Sequence, residues 1–219
     1  MSSLYVFFDL DSCLYDYPAF VKHTGQNIQD HMVAHLGYSR DTIEAEEYQL
    51  YKNFGNTLRG IASKHSIKFK DWFTSVHVPL PYEATFSAAL ELREVLLRIP
   101  GRRIIFTNSD RDHTVKILSL MGILDCFHDI VDFNRMNPSE TSNDIICKPD
   151  ERAFKVALGL VGVPADANVT FLDDSLSNLK TGARLGWHTI QIGTTTLNEP
   201  AKSCCKDICD IGPFFKLSY

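Results

Sequence analysis

The stretch LYVFFDLD at residues 4–11 decides the fold of this chain. Its apolar, aromatic-rich run predicts a short strand that is covered on both faces. Two acidic residues, Asp9 and Asp11, follow that strand directly. A single aspartate there would be an ordinary turn or helix-capping residue. Two buried carboxylates, in contrast, are costly unless a cation compensates them, and Mg²⁺ is the natural candidate for oxygen ligands.

Further short apolar runs alternate with helical patterns along the rest of the chain. This alternation predicts an α/β fold with a parallel sheet. Helices are predicted after Ser109-Asp110, from Pro149 and from Ser175. The segment Ile208–Phe215 is open to two interpretations, an edge strand or a packing tail. The predicted strands occupy residues 4–8, 103–106, 130–133, 169–172 and 189–192.

One long stretch after the first strand breaks this alternation. Helical periodicity recurs there at residues 20–36, 42–54, 57–65 and about 71–76, and no run is typical of a buried strand. We therefore predict a helical cap at residues 15–83, inserted into a catalytic core made of residues 1–14 and 84–219. A cap placed after the first strand would lie over the carboxyl end of the sheet, where open α/β sheets bind ligands.

Composition excludes several classes of protein. The chain has 219 residues, of which 44% are hydrophobic and 22% charged, as in an average globular protein. A net charge of −5 argues against a nucleic-acid polymer as partner. No apolar run reaches the ~18 residues of a membrane helix, and we expect neither a signal peptide nor a membrane partner. Six cysteines without a Cys-x-x-Cys pair predict reduced thiols and a cytoplasmic protein; the sequence does not separate cytoplasm from nucleus, or monomer from homodimer.

Polar side chains follow other predicted strands. Asp173 and Asp174 come directly after one of them, and Thr107 and Asn108 after another. Lys148 precedes a predicted helix. Each of these residues alone has an ordinary role as a cap, turn or surface residue. Together they supply carboxylates, a hydroxyl and an ammonium group, which suits phosphoryl transfer by charge neutralisation and positioning, with a covalent aspartyl-phosphate splitting the barrier.

This ordered set resembles the haloacid dehalogenase-like (HAD) hydrolase superfamily. Asp9-Leu10-Asp11, Thr107-Asn108, Lys148 and Asp173-Asp174 are similar to its four motifs, in the expected order. The resemblance implies a Rossmann-like parallel core with an inserted all-helical cap of the C1 type. Shorter segments resemble the pyrimidine 5′-nucleotidase branch of fungi and plants, at residues 8–15, 55–60, 76–77, 80–83, 106–110, 113 and 146–149.

The resemblance also implies roles for the motif residues. Asp9 would attack phosphorus, and Asp11 would protonate the leaving oxygen and then activate water. Thr107 and Asn108 would bind the phosphoryl oxygens, and Lys148 would orient Asp9 and offset developing charge.

A Mg²⁺ site is implied as well. It would be formed by Asp9, the Leu10–Asp11 backbone, Asp173 and Asp174. Where many relatives carry a carboxylate four residues after the metal-binding aspartate, this chain has Asn178, for which we expect a weaker or water-mediated role.

The cap and its hinges are expected to select the substrate. Candidate substrate-binding residues there are Tyr15, Asn56 and Thr57, and His113 in the core joins them. Arg59, Tyr51 and His77 are further candidates, although a tyrosine at helical spacing or a lone histidine is commonly structural. The favoured function is a Mg²⁺-dependent phosphomonoester hydrolase, a 5′-nucleotidase for pyrimidine nucleoside monophosphates, whose partner is a small phosphorylated metabolite.

Other functions remain open at this point. A phosphatase for another small ester, such as a lysophosphatidic acid or a sugar phosphate, would use the same catalytic residues. A phospho-acceptor signalling domain would also need an aspartate, Mg²⁺, a hydroxyl and a lysine, but its motif order differs and it lacks a large cap. An idle scaffold would be expected to have lost some motif residues. Asp11 argues against a dehalogenase, since halide leaves without a proton, whereas a mutase shares the acid pair.

Overall fold

A six-stranded parallel sheet lies at the centre of the structure, a computed structural model that describes residues 3–215. The strand order is β3-β2-β1-β4-β5-β6, and each neighbouring pair is parallel. The predicted α/β class is therefore confirmed. Residues 1–2 and 216–219 of the predicted core lie outside the described part of the chain. The strands are β1 (Leu4–Phe8), β2 (Arg102–Phe106), β3 (Asp129–Val131), β4 (Asn168–Asp173), β5 (His188–Ile192) and β6 (Ser203–Cys205).

Helices cover the sheet and form the insertion after β1. Those of the insertion and its exit are α1 (Pro18–Leu36), α2 (Ile43–Phe54), α3 (Thr57–Ala62), α4 (Phe69–His77) and α5 (Tyr82–Thr85). Those of the core are α6 (Leu90–Arg98), α7 (Arg111–Leu120), α8 (Phe133–Met136), α9 (Glu151–Val161) and α10 (Leu176–Arg184). Short 3₁₀ helices span Leu124–Cys126 and Ile208–Phe215. Within residues 3–215, no helix combines the length and apolar character that crossing a bilayer requires.

The central strand β1 is buried on both faces, as its unbroken apolar run predicts. Val6 and Phe8 pack into the cluster that holds α6 and α7, whereas Tyr5 and Phe7 pack into the cluster of α9 and α10. Alternate side chains of one strand thus enter two separate apolar layers. Because both layers hold the same strand, the position of its carboxyl end is fixed from two sides.

Parallel register brings several chain segments to one edge of the sheet. Phe8 pairs with Ile105 of β2 and Leu172 of β4. The chain runs from β1 through β2 to β3 on one side of the sheet and then crosses to β4 on the other side of β1. Such a switch point opens a crevice at the carboxyl ends of the strands. Asp9, immediately after β1, remains tied to this edge because its backbone N–H donates to the Leu172 carbonyl at 2.9 Å.

The insertion packs around its own apolar cluster, but that cluster does not close without the core. Cap residues such as Leu58 and Trp72 share it with Phe133, Ile145 and Cys147 from the core. The rings of Phe69 and Phe73, on α4, each meet the Phe133 ring at a centroid distance of 4.9 Å. The cap and the core segment at 133–147 therefore form one packed unit.

A second contact between cap and core lies beside Lys148. Gly55 ends α2 with φ +73°, and a Cβ at this position would lie 2.3 Å from the Pro149 side chain. Backbone conformation and close approach both therefore require glycine here. Next to it, Arg59 of the cap forms an ion pair of 2.8 Å with Asp150 of the core.

Several local predictions were wrong. Phe133 was predicted in a strand, but it begins α8, because Asp132 caps that helix by accepting the Arg135 N–H at 3.0 Å. Pro149 was predicted to open a helix, but α9 begins at Glu151 after its cap Asp150. Ile208–Phe215 is not an edge strand but a 3₁₀ helix. It packs on the core through Ile208 and Ile211, in agreement with the interpretation as a packing tail. The sequence analysis did not predict β6, α5, α6 or α8.

Candidate active site

A buried lysine lies between two aspartates at the carboxyl edge of the sheet. The Nζ atom of Lys148 is 2.8 Å from Oδ1 of Asp9 and 2.8 Å from Oδ2 of Asp173. Burial alone would lower the pKa of Lys148, but Asp173 and Asp9 outweigh it and raise that pKa. The ammonium group is therefore held in its charged form beside Asp9, where it can offset negative charge.

Three carboxylates meet around this lysine. Oxygen atoms of Asp9, Asp173 and Asp174 lie within 4.8 Å of one another. Burial, assisted by the neighbouring aspartates, raises the pKa of Asp9 well above its usual value. Burial and Asp173 raise the pKa of Asp174 to about 6. One lysine does not balance this negative charge, so the donor set fits a hard divalent cation such as Mg²⁺.

Asp173 is the carboxylate most committed to protein donors. Its oxygens accept hydrogen bonds from Lys148 Nζ, from the Ser175 N–H at 2.8 Å and from Asn178 Nδ2 at 3.0 Å. Asp9 and Asp174 accept fewer hydrogen bonds from protein donors and would be the main side-chain ligands of a cation. Asn178, expected to have a weak or water-mediated role, donates directly to both oxygens of Asp173 and holds that carboxylate in place.

Asp11 accepts hydrogen bonds from three side chains. Tyr15 donates to Oδ1 at 2.5 Å, Ser109 donates to Oδ2 at 2.6 Å, and His113 Nε2 lies 2.9 Å from Oδ1. Burial would raise the pKa of Asp11, but the charge and hydrogen bond of His113, with Ser109 and Tyr15, hold it well below its usual range. The hydroxyl of Tyr15 is thus bound to Asp11, although its ring lines the cavity described below.

His113, a predicted substrate-binding residue, is enclosed by protein. Only 3% of its surface is exposed, and its second ring nitrogen, Nδ1, lies 2.7 Å from the Tyr82 hydroxyl. Both ring nitrogens are therefore occupied by protein partners. Neither Ser109 nor Tyr82 was among the predicted site residues; Ser109 could have been found from its place directly after Thr107-Asn108.

The second motif has two distinct parts. Thr107 follows β2, is almost fully buried, and its Oγ1 accepts the Ser109 N–H at 3.0 Å, which leaves its hydroxyl proton to donate. The Asn108 side chain instead binds the Lys148 backbone: Oδ1 accepts the Lys148 N–H at 2.8 Å, and Nδ2 donates to the Lys148 carbonyl at 2.9 Å. The Asn108 amide thus positions Lys148.

A cavity of about 360 Å³ lies between the cap and the core, with Asp11 on its floor. Asn56 and Thr57, two of the predicted substrate-binding residues, line it. Asn56 Oδ1 caps α3 by accepting the Arg59 N–H at 3.0 Å, so its NH₂ group is the part that can donate to a ligand. The Thr57 hydroxyl lies 3.3 Å from Glu47, another lining residue.

The rest of the cavity wall is mostly apolar and aromatic. Trp72 and Phe73 of α4 contribute rings, and Tyr51 of α2 also lines this wall. Sequence analysis did not single out Glu47, Trp72 or Phe73, because nothing in a helical pattern distinguishes a cavity wall from a helix core. The apolar lining is completed by Val21, Ile28, Leu58 and Val76.

Comparison with known proteins agrees with this geometry. A family model described as haloacid dehalogenase-like hydrolase matches residues 5–186. Phosphate metabolism protein 8 of Saccharomyces cerevisiae is 27% identical over 196 residues, which make up 85% of this chain and 60% of that protein. The chain thus spans about three fifths of the length of this relative.

Solved structures share the fold at low sequence identity. YfnB from Bacillus subtilis, solved with bound magnesium and described as showing interdomain movement, has a TM-score of 0.61 and 14% identity over 99% of this chain and 100% of that chain. The L-2-haloacid dehalogenase RSc1362 has a TM-score of 0.63 and 17% identity, again over 99% and 100% of the two chains. At these identities the similarity shows the common fold alone.

Proposed function

Because the chain belongs to the haloacid dehalogenase-like hydrolase family, we propose that it is a Mg²⁺-dependent phosphomonoester hydrolase. Its preferred substrates would be pyrimidine nucleoside 5′-monophosphates. The observation that carries the proposal is the pairing of Asp9, next to Lys148 and Asp174, with Asp11 two residues further on. A hydrolase that cleaves an ester needs a proton donor for the leaving oxygen, and Asp11 supplies a carboxyl group at that place.

The first step forms a covalent intermediate. A carboxylate oxygen of Asp9 attacks phosphorus, the bond from phosphorus to the ester oxygen breaks, and the proton of Asp11 passes to that oxygen, which leaves as an alcohol. Asp11 is held ionised in the free protein. The incoming phosphomonoester, as a monoanion, brings the proton. Its negative charge next to Asp11 favours the protonated carboxyl group, so Asp11 can hold that proton.

The second step returns the site to its starting state. A water oxygen attacks phosphorus, its proton passes to Asp11, and the bond to Asp9 breaks to release inorganic phosphate. Lys148 and the Thr107 hydroxyl are placed to neutralise and orient the phosphoryl oxygens, which is the main contribution that proteins make to this chemistry. Bound Mg²⁺, held by Asp9 and Asp174 with the backbone after Asp9, would supply further charge neutralisation.

The cavity supports a small, partly aromatic leaving group. Its volume of about 360 Å³ is at the lower end of the ~300–1,000 Å³ range of ligand pockets. This size favours a single-ring base over a purine. Trp72 and Phe73 offer aromatic surface for a base, and the Asn56 amide and the pair Thr57–Glu47 offer polar groups for its edge.

A second candidate substrate is a lysophosphatidic acid. The observation in its favour is the apolar part of the cavity wall, in which Val21, Ile28 and Val76 would suit an acyl chain. The polar cluster at Asn56, Thr57 and Glu47 favours the nucleotide, because buried polar groups that a lipid leaves unpaired reduce its affinity.

The test is phosphate release from UMP, CMP, AMP, a sugar phosphate and a lysophosphatidic acid, with and without Mg²⁺. Asp9→Asn is compared with Asp166→Asn, an exposed aspartate before β4 at the opposite edge of the sheet. We expect hydrolysis of UMP and CMP that needs Mg²⁺, is lost in the first variant and is kept in the second. Hydrolysis of another ester would replace the substrate assignment, and no phosphate release from any ester would overturn the proposal.

A further inference from the structure

We infer that His113 is the positioning residue of Asp11, the general acid and base. Tyr82 and the cap residue His77 hold the His113 ring in place, so docking of the cap controls the position of Asp11. This inference rests on the proposed phosphatase function. It adds residues outside the four motifs and assigns a catalytic consequence to one contact between cap and core.

The hydrogen bonds of His113 define how it acts on Asp11. Because a carboxylate oxygen accepts hydrogen bonds, the ring nitrogen that faces Oδ1 of Asp11, Nε2, carries a proton and donates at 2.9 Å. The other ring nitrogen, Nδ1, forms a hydrogen bond of 2.7 Å with the Tyr82 hydroxyl. Tyr82 therefore fixes the orientation of the ring that holds Asp11, as a second hydrogen bond does for catalytic histidines in general.

His77 brings the cap into direct contact with this arrangement. It is the last residue of α4, and its ring stacks on that of His113 with a centroid distance of 4.0 Å and an interplanar angle of 28°. Its Nδ1 atom hydrogen-bonds to Oδ1 of Asp110. The other oxygen of Asp110 accepts the backbone N–H of His113 at 3.5 Å and so caps α7.

The two histidines also separate two cavities. Both line the cavity above Asp11 and also an outer groove of about 690 Å³, so only their stacked rings and neighbouring side chains lie between the groove and the general acid. A stack of two apolar rings would close this wall at lower desolvation cost than two imidazoles. The polar rings therefore point to a role in the chemistry of the site and not only in packing.

Because His77 lies on α4 of the cap, the surroundings of His113 depend on whether the cap is docked. If α4 moves away from the core, the stacking contact and the bond to Asp110 are both lost, and the wall behind His113 opens to the outer groove. His113, one of the three donors to Asp11, then loses the contacts that hold its ring in place. Full general-acid activity thus requires a docked cap, and proton transfer is coordinated with exclusion of water.

Leaving groups of different acidity provide the test. Nitrophenolate leaves without a proton, whereas a nucleoside 5′-alkoxide needs one from Asp11. The measured quantity is kcat/KM, which for both substrates reports the steps up to release of the leaving group. The variants are His113→Leu, His113→Gln (whose amide nitrogen can replace the lost donor), Tyr82→Phe and His77→Ala. The matched control is His31→Gln, a buried cap histidine that packs on Trp72 away from Asp11.

We expect His113→Leu to lower kcat/KM for the nucleotide about 100-fold and that for p-nitrophenyl phosphate less than about fivefold, within the ~10²–10⁴ range of general-acid catalysis. His113→Gln should recover most of the loss. Tyr82→Phe and His77→Ala should show the same substrate dependence at about tenfold, and His31→Gln should show none.

Other outcomes would overturn the inference. If His113→Leu does not fold, the Gln and Tyr82→Phe variants, checked by their thermal midpoints, decide the matter. Equal losses on both substrates, or no loss on either, would reduce His113 and His77 to packing residues while the phosphatase function stands. A wild-type protein that releases no phosphate from either substrate would overturn the function and the inference together.

Discussion

The carboxyl edge of the sheet and the cap cavity are built on different principles. At the edge, Lys148 and Asp11 are saturated with protein partners: Lys148 contacts two aspartates, and Asp11 accepts three side-chain donors. In the cavity, polar groups such as the Asn56 amide keep donors available for a ligand. The protein thus fixes its reacting groups before substrate arrives and leaves its recognition groups to be completed by the substrate.

This difference predicts that removing an edge charge next to the phosphoryl group acts on all substrates alike, whereas changes in the cavity act on some. The largest effect is expected for Lys148→Met. It leaves two buried carboxylates without their cation, which costs about 3–5 kcal/mol of stability, and it should lower kcat about 10³-fold. Denaturant unfolding and kinetics with UMP and p-nitrophenyl phosphate measure both effects. The control is Lys180→Met, an exposed lysine on α10; a loss confined to UMP would break the comparison.

The next effect concerns Asp174 in metal-free protein. Because burial and Asp173 raise its pKa from 3.8 to about 6, the folded state holds a proton there that the unfolded state has lost. Stability should therefore fall as pH rises from about 4 to about 6. The shift corresponds to about 3 kcal/mol, which partial exposure reduces to about 1–2 kcal/mol.

Asp174→Asn removes this dependence. With EDTA present, urea unfolding should find the variant and the wild type equally stable near pH 4, and the variant more stable at pH 7. Parallel curves over the whole range would show that the edge tolerates its negative charge without a cation.

Thr57→Val tests the cavity. The change keeps the side-chain volume but removes the hydroxyl that meets Glu47. We expect the preference for UMP over AMP to fall about fivefold, the equivalent of about 1 kcal/mol for one hydrogen bond, with p-nitrophenyl phosphate hydrolysis unchanged. Thr74→Val, at an exposed position of α4, is the control. Equal losses on every substrate would place Thr57 with the edge residues.

The smallest effect is expected where the two regions meet. Arg59→Ala removes the ion pair between cap and core at Asp150. A partly exposed pair of this kind contributes about 0.5 kcal/mol, so KM should rise about two- to threefold with kcat nearly constant. Arg40→Ala, which removes an ion pair with Asp30 inside the cap, is the matched control. Equal effects on KM would indicate that the pair with Asp150 has no special part in holding the cap.

The edge was predictable because parallel strands bring their carboxyl ends together. Asp9, Thr107 and Asp173 each follow an apolar run, and topology alone places them near one another. The three donors of Asp11 were harder to predict, because Ser109 and Tyr15 reach it through side-chain directions that spacing does not encode. His113 was assigned to substrate, since nothing in the sequence reveals that Tyr82 occupies its other nitrogen. The strand β6 was missed because Ser203–Cys205 has only three residues, of which one is buried.

The apolar cluster that the cap shares with the core determines which segments can be exchanged between related proteins to transfer a cap. Phe133, Ile145 and Cys147 lie in the core sequence yet complete the interior of the cap. A chimera that exchanges residues 15–83 alone would set a foreign surface against these three side chains. The transplantable module is therefore discontinuous, and a productive exchange carries the segment at 133–147 with it.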